Sequence, residues 1–330
     1  MKNKHFNSLR PRRNRRTQAI RDMLAESQLS PSQFVYPVFI EKGENKRHNL
    51  TQLPGQKRVS LDVLLKEIPQ YLDLGVTSLA LFPRIDDELK NNQASEALNE
   101  KGFLPSAVRK LKKEFPELVV ITDVALDPYS SDGHDGLVID GKVHNDKTVE
   151  LLAQMACLHA HCGADYVAPS DMMDGRVGQI RRQLENQGFS ETGIISYTAK
   201  YASNFYGPFR SALDSAPRSG DKKTYQMDYR NSREANRELA LDLHEGADMV
   251  MVKPALSYLD IIQKFHQKSN VPVAAYNVSG EYALVKLMAE KGLAKEEDLV
   301  QEILYSIRRA GADVIFTYHA IEAARLLKRS

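Results

Sequence analysis

The run MVMVKPALSYLD at residues 249–260 leads four apolar residues directly into Lys253, and Pro254 then ends it. An ammonium at the end of what reads as a fully buried strand is costly unless it is paired, or unless its chemistry needs the neutral amine. A second run, TGIISYTA at 192–199, leads just as directly into Lys200. A neutral amine is the nucleophile that attacks a ketone to form a Schiff base. A nearby cation and an apolar wall each lower an ammonium's pKa toward that state. Two such lysines in one cavity would do this for each other. Taken singly, each is equally readable as a snorkelling or ion-paired side chain.

The lysines need strands to carry them, and the sequence supplies a repeating pattern. QFVYPVFI (33–40), VTSLALFP (76–83) and LVVITDVAL (118–126) read as strands, and SLDVLLKEIPQYLDLG (60–75) reads as a helix with Ser60 as N-cap and Gly75 as its stop. PSAVRKLKKEFP follows as a further helix. HCGADYVAPSD, HEGADMVMVKP and RAGADVIFTYH then share one form: helix end, Gly-Ala-Asp, apolar strand, polar tip. Gly163, Gly246 and Gly311 fit the left-handed position at which a helix turns into a strand. With TGIISYTA and VPVAAYNVS (271–279) the count reaches eight strands with helical stretches between most of them. Runs that are apolar throughout suit a parallel sheet covered on both faces, and eight such units predict a (β/α)8 TIM barrel. A doubly wound open sheet is the alternative, but no G-x-G-x-x-G follows the first strand. The division expected is an N-terminal arm over 1–30 and one barrel over 31–330.

Two segments, 127–146 and 201–231, exceed ordinary loop length and leave the carboxyl ends of strands, where barrel active sites lie. The strand tips contribute Asp123, Ser170, Asp171, Lys200, Lys253, Ser279 and Tyr318. The later loop mixes Phe205, Tyr206 and Phe209 with Arg210, Lys222, Lys223 and Gln226, a composition that suits a lid over a small keto-acid with Arg210 clamping its carboxylate. The earlier loop holds Asp127, Asp132 and Asp135 as well as Asp123 at its strand end. These are hard oxygen ligands that favour Mg²⁺ over Zn²⁺, general acid/base candidates, or simply turn formers.

The totals are those of a globular chain: 330 residues, 42% hydrophobic and 27% charged, with a formal net charge of +2. Near-balanced charge gives no global pull toward nucleic acid or membrane, and no apolar run approaches a bilayer span. Two cysteines, Cys157 and Cys162, form neither a disulfide framework nor a zinc quartet, and no apolar signal core opens the chain, so a cytoplasmic location is expected. LRPRRNRR (9–16) packs five arginines into a short segment, read here as a solvated or partner-binding arm rather than a nucleic-acid patch.

APSDMMDGR, AKYASNFYGPFR, GDKKTYQMD, EGADMVMVKP, YLDI and VSGEY together resemble the porphobilinogen synthase (5-aminolevulinate dehydratase) family, in the family's order and over nearly the whole chain. The resemblance implies a barrel whose arm embraces a neighbouring subunit in an octamer. It implies condensation of two 5-aminolevulinates into porphobilinogen with loss of two waters, on the route to haem. Lys253 aligns with the Schiff-base lysine for the A-side substrate and Lys200 with that for the P-side substrate. Arg210, Lys222 and Gln226 align with the groups that hold the A-side carboxylate, Ser279 and Tyr318 with those for the P-side carboxylate. Asp123 and Ser170 align with cavity residues near the reacting amines, Tyr206 and Phe209 with aromatic wall residues.

Zinc-using members of that family carry three cysteines where this chain has Ala125, Asp127 and Asp135, so the resemblance is to the zinc-independent, magnesium-responsive type. No catalytic zinc is expected, and Asp127 and Asp135 are a possible second metal site. Glu245 stands where such members hold an allosteric Mg²⁺ away from the active site; otherwise it is a helix-end surface carboxylate. Asp132, Asn277 and KPALSYLD depart from the family's commonest pattern without touching the lysines. Two rival readings are a class I aldolase, which needs one such lysine rather than two, and a non-catalytic assembly protein that kept the fold.

Overall fold

A computed structural model describes residues 9–329. Its strands are β1 (Phe34–Glu41), β2 (Arg47–Asn49), β3 (Lys57–Ser60), β4 (Ser78–Arg84), β5 (Val119–Val124), β6 (Val138–Ile139), β7 (Lys142–Val143), β8 (Tyr166–Pro169), β9 (Gly193–Lys200), β10 (Met249–Lys253), β11 (Val273–Asn277) and β12 (Val314–Thr317). Strands β1, β4, β5, β8, β9, β10, β11 and β12 lie side by side, all parallel, and β12 pairs back onto β1. That closure makes a (β/α)8 barrel and removes the open-sheet alternative.

The helices are α1 (Gln18–Met23) in the arm, α2 (Leu61–Asp73), α3 (Phe103–Glu114), α4 (Asn145–His161), α5 (Arg176–Asn186), α6 (Gly207–Leu213), α7 (Arg233–Glu245), α8 (Leu259–Lys268), α9 (Ser279–Glu290), α10 (Glu296–Arg309) and α11 (Ala320–Arg329). One apolar layer, with Leu79, Val120, Val167 and Val250, fills the space between strands and helices. A second, with Phe39, Phe82, Ile121, Ile195, Tyr197, Met251, Tyr276 and Phe316, fills the barrel itself. Residues 9–26 of the arm are exposed apart from half-buried Ile20; the arm's first eight residues, included in the expected 1–30 segment, lie outside the described residues.

The expected strands are present with trimmed ends. The run 118–126 stops at Val124, because Ala125 and Leu126 already turn into the following loop, and the run 192–199 extends by one residue to take in Lys200. Two short hairpins were not anticipated: β2–β3, which adds a parallel pairing to β1, and β6–β7 in the loop after β5. Ser60 precedes α2 as expected but makes no side-chain cap bond. Its hydroxyl instead donates to Asp62 at 2.6 Å and accepts from the Lys46 amide. Gly75 (φ 83°) ends α2, and Gly163, Gly246 and Gly311 (φ 99°, 95° and 111°) take the left-handed conformation expected of the repeat.

The aspartate of each repeat fastens one strand to the strand before it. The Asp165 amide donates to the Val120 carbonyl while its carboxylate accepts from the Val120 amide at 2.7 Å. Asp248 does the same with Ile194 and Asp313 with Val273. Each carboxylate also pairs with a basic side chain of a preceding helix or its end: Lys112, Arg181 or Arg308. The repeat is thus a register pin at the amino end of the barrel, applied at β5/β8, β9/β10 and β11/β12.

From the β9/β10 pin the register runs Met249↔Ile195 and Val250↔Ser196, then Val252↔Ala199 and Lys253↔Lys200. Strand β9 therefore carries one residue more than β10 between the pin and the tip. Because side chains alternate along a strand, this bulge changes which parity faces inward. Ile195 and Tyr197 point into the barrel, Ala199 packs on the outer layer, and Lys200 again faces the barrel's mouth.

Removing an Asp pin leaves a buried strand amide without an acceptor, which costs about 1–3 kcal/mol. Asp165→Ala is therefore expected to lower the urea unfolding midpoint by that equivalent. Asp165→Asn, which keeps an acceptor for Val120, is expected to lose less. Equal losses in the two variants would show that the charge pair with Lys112, not the amide bond, carries the effect.

Candidate active site

The two lysines are direct register partners at the tips of β9 and β10, and both are buried. Their surroundings differ. Lys200 Nζ donates to the Ser170 carbonyl and to Asp135 Oδ2, the latter at 3.0 Å. Lys253 Nζ sits among four aromatic rings, 4.4 Å from the centroid of Tyr276, 4.9 Å from Tyr197, 5.1 Å from Phe209 and 5.4 Å from Tyr206. Burial, and after it the neighbouring Lys200, pulls the Lys253 ammonium down to about 7. Ring faces attract a cation but solvate it far less than water does, so about half of the amine that the sequence placed at the end of a buried strand is unprotonated at neutral pH.

The cavity over the lysines is lined by Asp123, Asp127, Asp135 and Ser170 from the β5 and β8 ends, and by Tyr206, Phe209, Arg210, Lys222 and Gln226 from the long loop after β9. Nine of the sequence-derived residues thus meet the two lysines in one place. Burial and then Asp127 push Asp123 up to about 7, against the opposing pull of Lys200, Lys253 and its bond with Ser170. Arg210 lies over the Tyr206 ring, 5.9 Å from its centroid, with no carboxylate in ion-pair range among the described residues. The buried Gln226 carbonyl oxygen accepts no hydrogen bond.

Three residues stand differently from expectation. Lys222 is engaged with Asp127 (3.3 Å) and Asp135 (2.5 Å) and is buried. Its ammonium is divided between two loop carboxylates, and Lys200 and Lys222 together hold Asp135 well below the usual carboxylate range despite its burial. Ser279 and Tyr318 do not line this cavity. The Ser279 hydroxyl accepts from the Phe209 amide and donates to the Phe205 carbonyl, both at 3.1 Å. Tyr318 stacks on Phe39 within the barrel and shares a hydrogen bond with Tyr276 at 3.3 Å.

The same ion pairs answer the question of a metal at Asp127 and Asp135. A cation there would displace Lys222, and Ala125 offers no ligand, so the donor set does not fit a zinc site. Among the described residues, Glu296, His319 and Glu322 alone bring three potential ligands together, and Lys286 already bridges both glutamates. Glu245 closes α7, at the opposite end of β10 from Lys253. It is half-buried rather than a free surface group, and its Oε2 accepts from the Gly178 amide in the first turn of α5 at 2.9 Å.

Sequence reasoning did not single out several residues that hold this arrangement. Tyr197 and Tyr276 complete the Lys253 cage; both are apolar-run residues whose inward direction no linear pattern reveals. His134 joins the two loops, one ring nitrogen 3.1 Å from the Tyr225 hydroxyl and the other bonded to the Ser219 carbonyl. Arg176 lies buried beneath the tips, bonded to Ser196 and the Tyr197 carbonyl and 3.6 Å from Asp171.

A sequence profile of the delta-aminolevulinic acid dehydratase family matches residues 8–326. The chain belongs to that family. It is similar to the chloroplastic delta-aminolevulinic acid dehydratase of Glycine max, 52% identical over 96% of this chain and 77% of the relative. It is similar to the delta-aminolevulinic acid dehydratase of Chlamydia pneumoniae, 50% identical over 95% of this chain and 94% of the relative. A crystal structure of the Toxoplasma gondii ME49 enzyme with its product porphobilinogen superposes with a TM-score of 0.95, at 52% identity over 96% of this chain and 91% of that one. The protein is accordingly an enzyme that condenses two molecules of 5-aminolevulinate into porphobilinogen in haem biosynthesis. The aldolase and non-catalytic readings fall away.

An amine attacks a ketone only when unprotonated, so a reaction that used Lys253 as its nucleophile would show kcat/KM rising with pH through about 7. Asp123 titrates in the same window, so the limb reports the coupled pair. Phe209→Ala, by admitting water to the cage and favouring the ammonium, is expected to move that limb upward. A limb that stays in place in this variant would show that the ring does not set the lysine's state.

Proposed function

We propose that the condensation runs through two imines, one on Lys253 and one on Lys200. The observation that carries this reading is the placement of both amines at one strand-tip register position, with Lys253 stripped of any charged partner and ringed by aromatics. Lys253 Nζ attacks the ketone carbon of the A-side 5-aminolevulinate, and the carbinolamine loses water to give the imine. Asp123, held near neutrality, gives and takes protons beside it. Lys200 takes the P-side substrate after its ion pair with Asp135 opens. Arg210, with Gln226, holds the A-side carboxylate, since the Lys222 charge is already shared between two aspartates. Ser279 and Tyr318 reach the P-side carboxylate only when the lid has moved, because in the closed arrangement Ser279 is bound to lid backbone. The cavity offers only about 30 Å³ in this arrangement, too little for 5-aminolevulinate, so the reading includes a movement of the lid as substrate enters.

We further propose the zinc-independent, magnesium-responsive type, with Glu245 as the allosteric Mg²⁺ residue. The Lys222–Asp127–Asp135 cluster supports the first part. For the second, Glu245 keeps one carboxylate oxygen for a cation that prefers one or two carboxylates and several waters. A homo-octamer is proposed from the arm. Its short helix is exposed apart from half-buried Ile20, as are Leu9 and Leu24, and a helix of that length is marginal alone in water. Among the described residues no helix is long and apolar enough to cross a membrane. The buried free thiols Cys157 and Cys162 support a cytoplasmic location, and nothing in the charge distribution favours nucleic acid.

Borohydride added with 5-aminolevulinate is expected to fix substrate mass on Lys253 by peptide mapping. Lys253→Ala is expected to reduce turnover to background, with Lys200→Ala close to it. An inactivated protein whose adduct lies on neither lysine would overturn the assignment.

Activity is expected to survive phenanthroline. Mg²⁺ is expected to raise both activity and octamer fraction at dilute protein, and Glu245→Ala to abolish the response while leaving the assembled enzyme's rate largely intact. Sedimentation velocity beside activity assays decides it: a variant that responds to Mg²⁺ as the parent does leaves Glu245 as no more than the acceptor for Gly178.

A further inference from the structure

The first turn of α9 touches both halves of the site. Ser279 ties the backbone of Phe205 and Phe209, the segment that supplies the Tyr206 and Phe209 rings. Gly280 lets this turn lie against Phe205 so closely that a Cβ would stand 2.7 Å from the Phe205 Cα and carbonyl oxygen. Glu281, 2% exposed, reaches the other way. Its Oε1 accepts from the Leu256 amide at 2.8 Å, three residues beyond Lys253. Its Oε2 accepts from the Val278 amide at 3.0 Å and from the Asn277 side-chain amide at 3.1 Å. Asn277 in turn accepts from the Thr317 hydroxyl on β12. The loop is closed by Tyr206, whose hydroxyl donates to the Lys253 carbonyl at 3.1 Å.

We propose that Glu281 is a positioning residue: its buried carboxylate fastens the chain leaving Lys253 to the helix turn that carries the lid, so that the lysine and its aromatic cage are held as one unit. The inference rests on Lys253 being an imine-forming lysine. A buried carboxylate is retained at a cost, and burial pushes Glu281 up to about 7 against the pull of its amide donors. Three donors converging on it from β11, α9 and the chain after Lys253 are what an acceptor-only group serves best. Without the tether the chain after Lys253 is free to shift relative to Tyr206 and Phe209. Water then enters the cage and the ammonium is better solvated.

The charged groups facing Lys253 are Lys200 on β9, Asp123 on β5, and Asp127 and Asp135 on the loop after β5, with Tyr197, Tyr206 and Tyr276 as the titratable rings of the cage. Those facing Glu281 are Tyr206 and Tyr258. None of these is altered by Glu281→Gln, which keeps side-chain size but turns an amino group toward the Val278 and Asn277 donors. Glu281→Asp keeps the charge and shortens the reach to Leu256.

The test measures kcat/KM and borohydride trapping of 5-aminolevulinate on Lys253, both against pH, in the parent and the two variants, with thermal midpoints alongside. The acid limb of both measurements is expected to move up by about half a pH unit or more in Glu281→Gln, and Glu281→Asp to lie between it and the parent. Loss of activity with an unmoved limb would make Glu281 a structural residue only and overturn the proposal. If Glu281→Gln does not fold, the limb of Glu281→Asp is read by the same criterion. A parent enzyme with no adduct on Lys253 overturns instead the assignment of that lysine, a result distinct from an unmoved limb.

Discussion

Two amines held side by side in a buried cavity cannot both keep a proton without a partner for each. Most of the site follows from that constraint. Asp135 answers the charge of Lys200, while Lys253 has four rings around it and no carboxylate in ion-pair range among the described residues, and its pKa is drawn down to about 7. The asymmetry arises from backbone placement rather than from the lysines. Lys200 ends a strand whose neighbour, β8, offers the Ser170 carbonyl, whereas Lys253 ends a strand bordered by Tyr197 and Tyr276. Low-polarity surroundings lower an ammonium's pKa without a dedicated base.

Holding that pair in place takes the whole barrel. The Asp248–Ile194 pin fixes β9 against β10 at the amino end, and the bulge above it brings Lys200 round to the inner face. The same pin recurs at β5/β8, which carries Asp123 and Ser170, and at β11/β12, which carries Tyr276 and Tyr318. Function and stability are therefore built from one repeated device, separated along the strands: ion-paired aspartates at one end, reacting groups at the other.

The two long loops complete the site by binding each other. Lys222 and His134 cross between them, and Ser279 anchors the second loop to α9. In the loop after β5, Lys200 and Lys222 pair with Asp135, and Lys222 also with Asp127, from inside the protein. With the cavity at about 30 Å³ in this arrangement, these are the contacts that a movement of the lid would break.

The sequence by itself determined the barrel, because eight apolar runs, each flanked by helical stretches and three opened by Gly-Ala-Asp, have few other ways to bury both faces. It also drew attention to Lys200 and Lys253, since charge placed straight after a buried run is costly unless it is paired or put to use. Long motifs in order carried the reaction class. What it could not fix depends on direction and distance across the fold. The bulge in β9 leaves no mark in an apolar run, so the inward turn of Tyr197 and of Lys200 was invisible. The resemblance gave Lys222 a place beside the substrate carboxylate, but nothing linear shows that Asp127 and Asp135, some 90 residues earlier, pair with it. Arg176 and Glu281 lie within the quoted motifs with no role read for either, and only the fold shows them buried among converging amides and carboxylates. Side-chain type is written in the chain; the partner that decides what each charge does is chosen by packing.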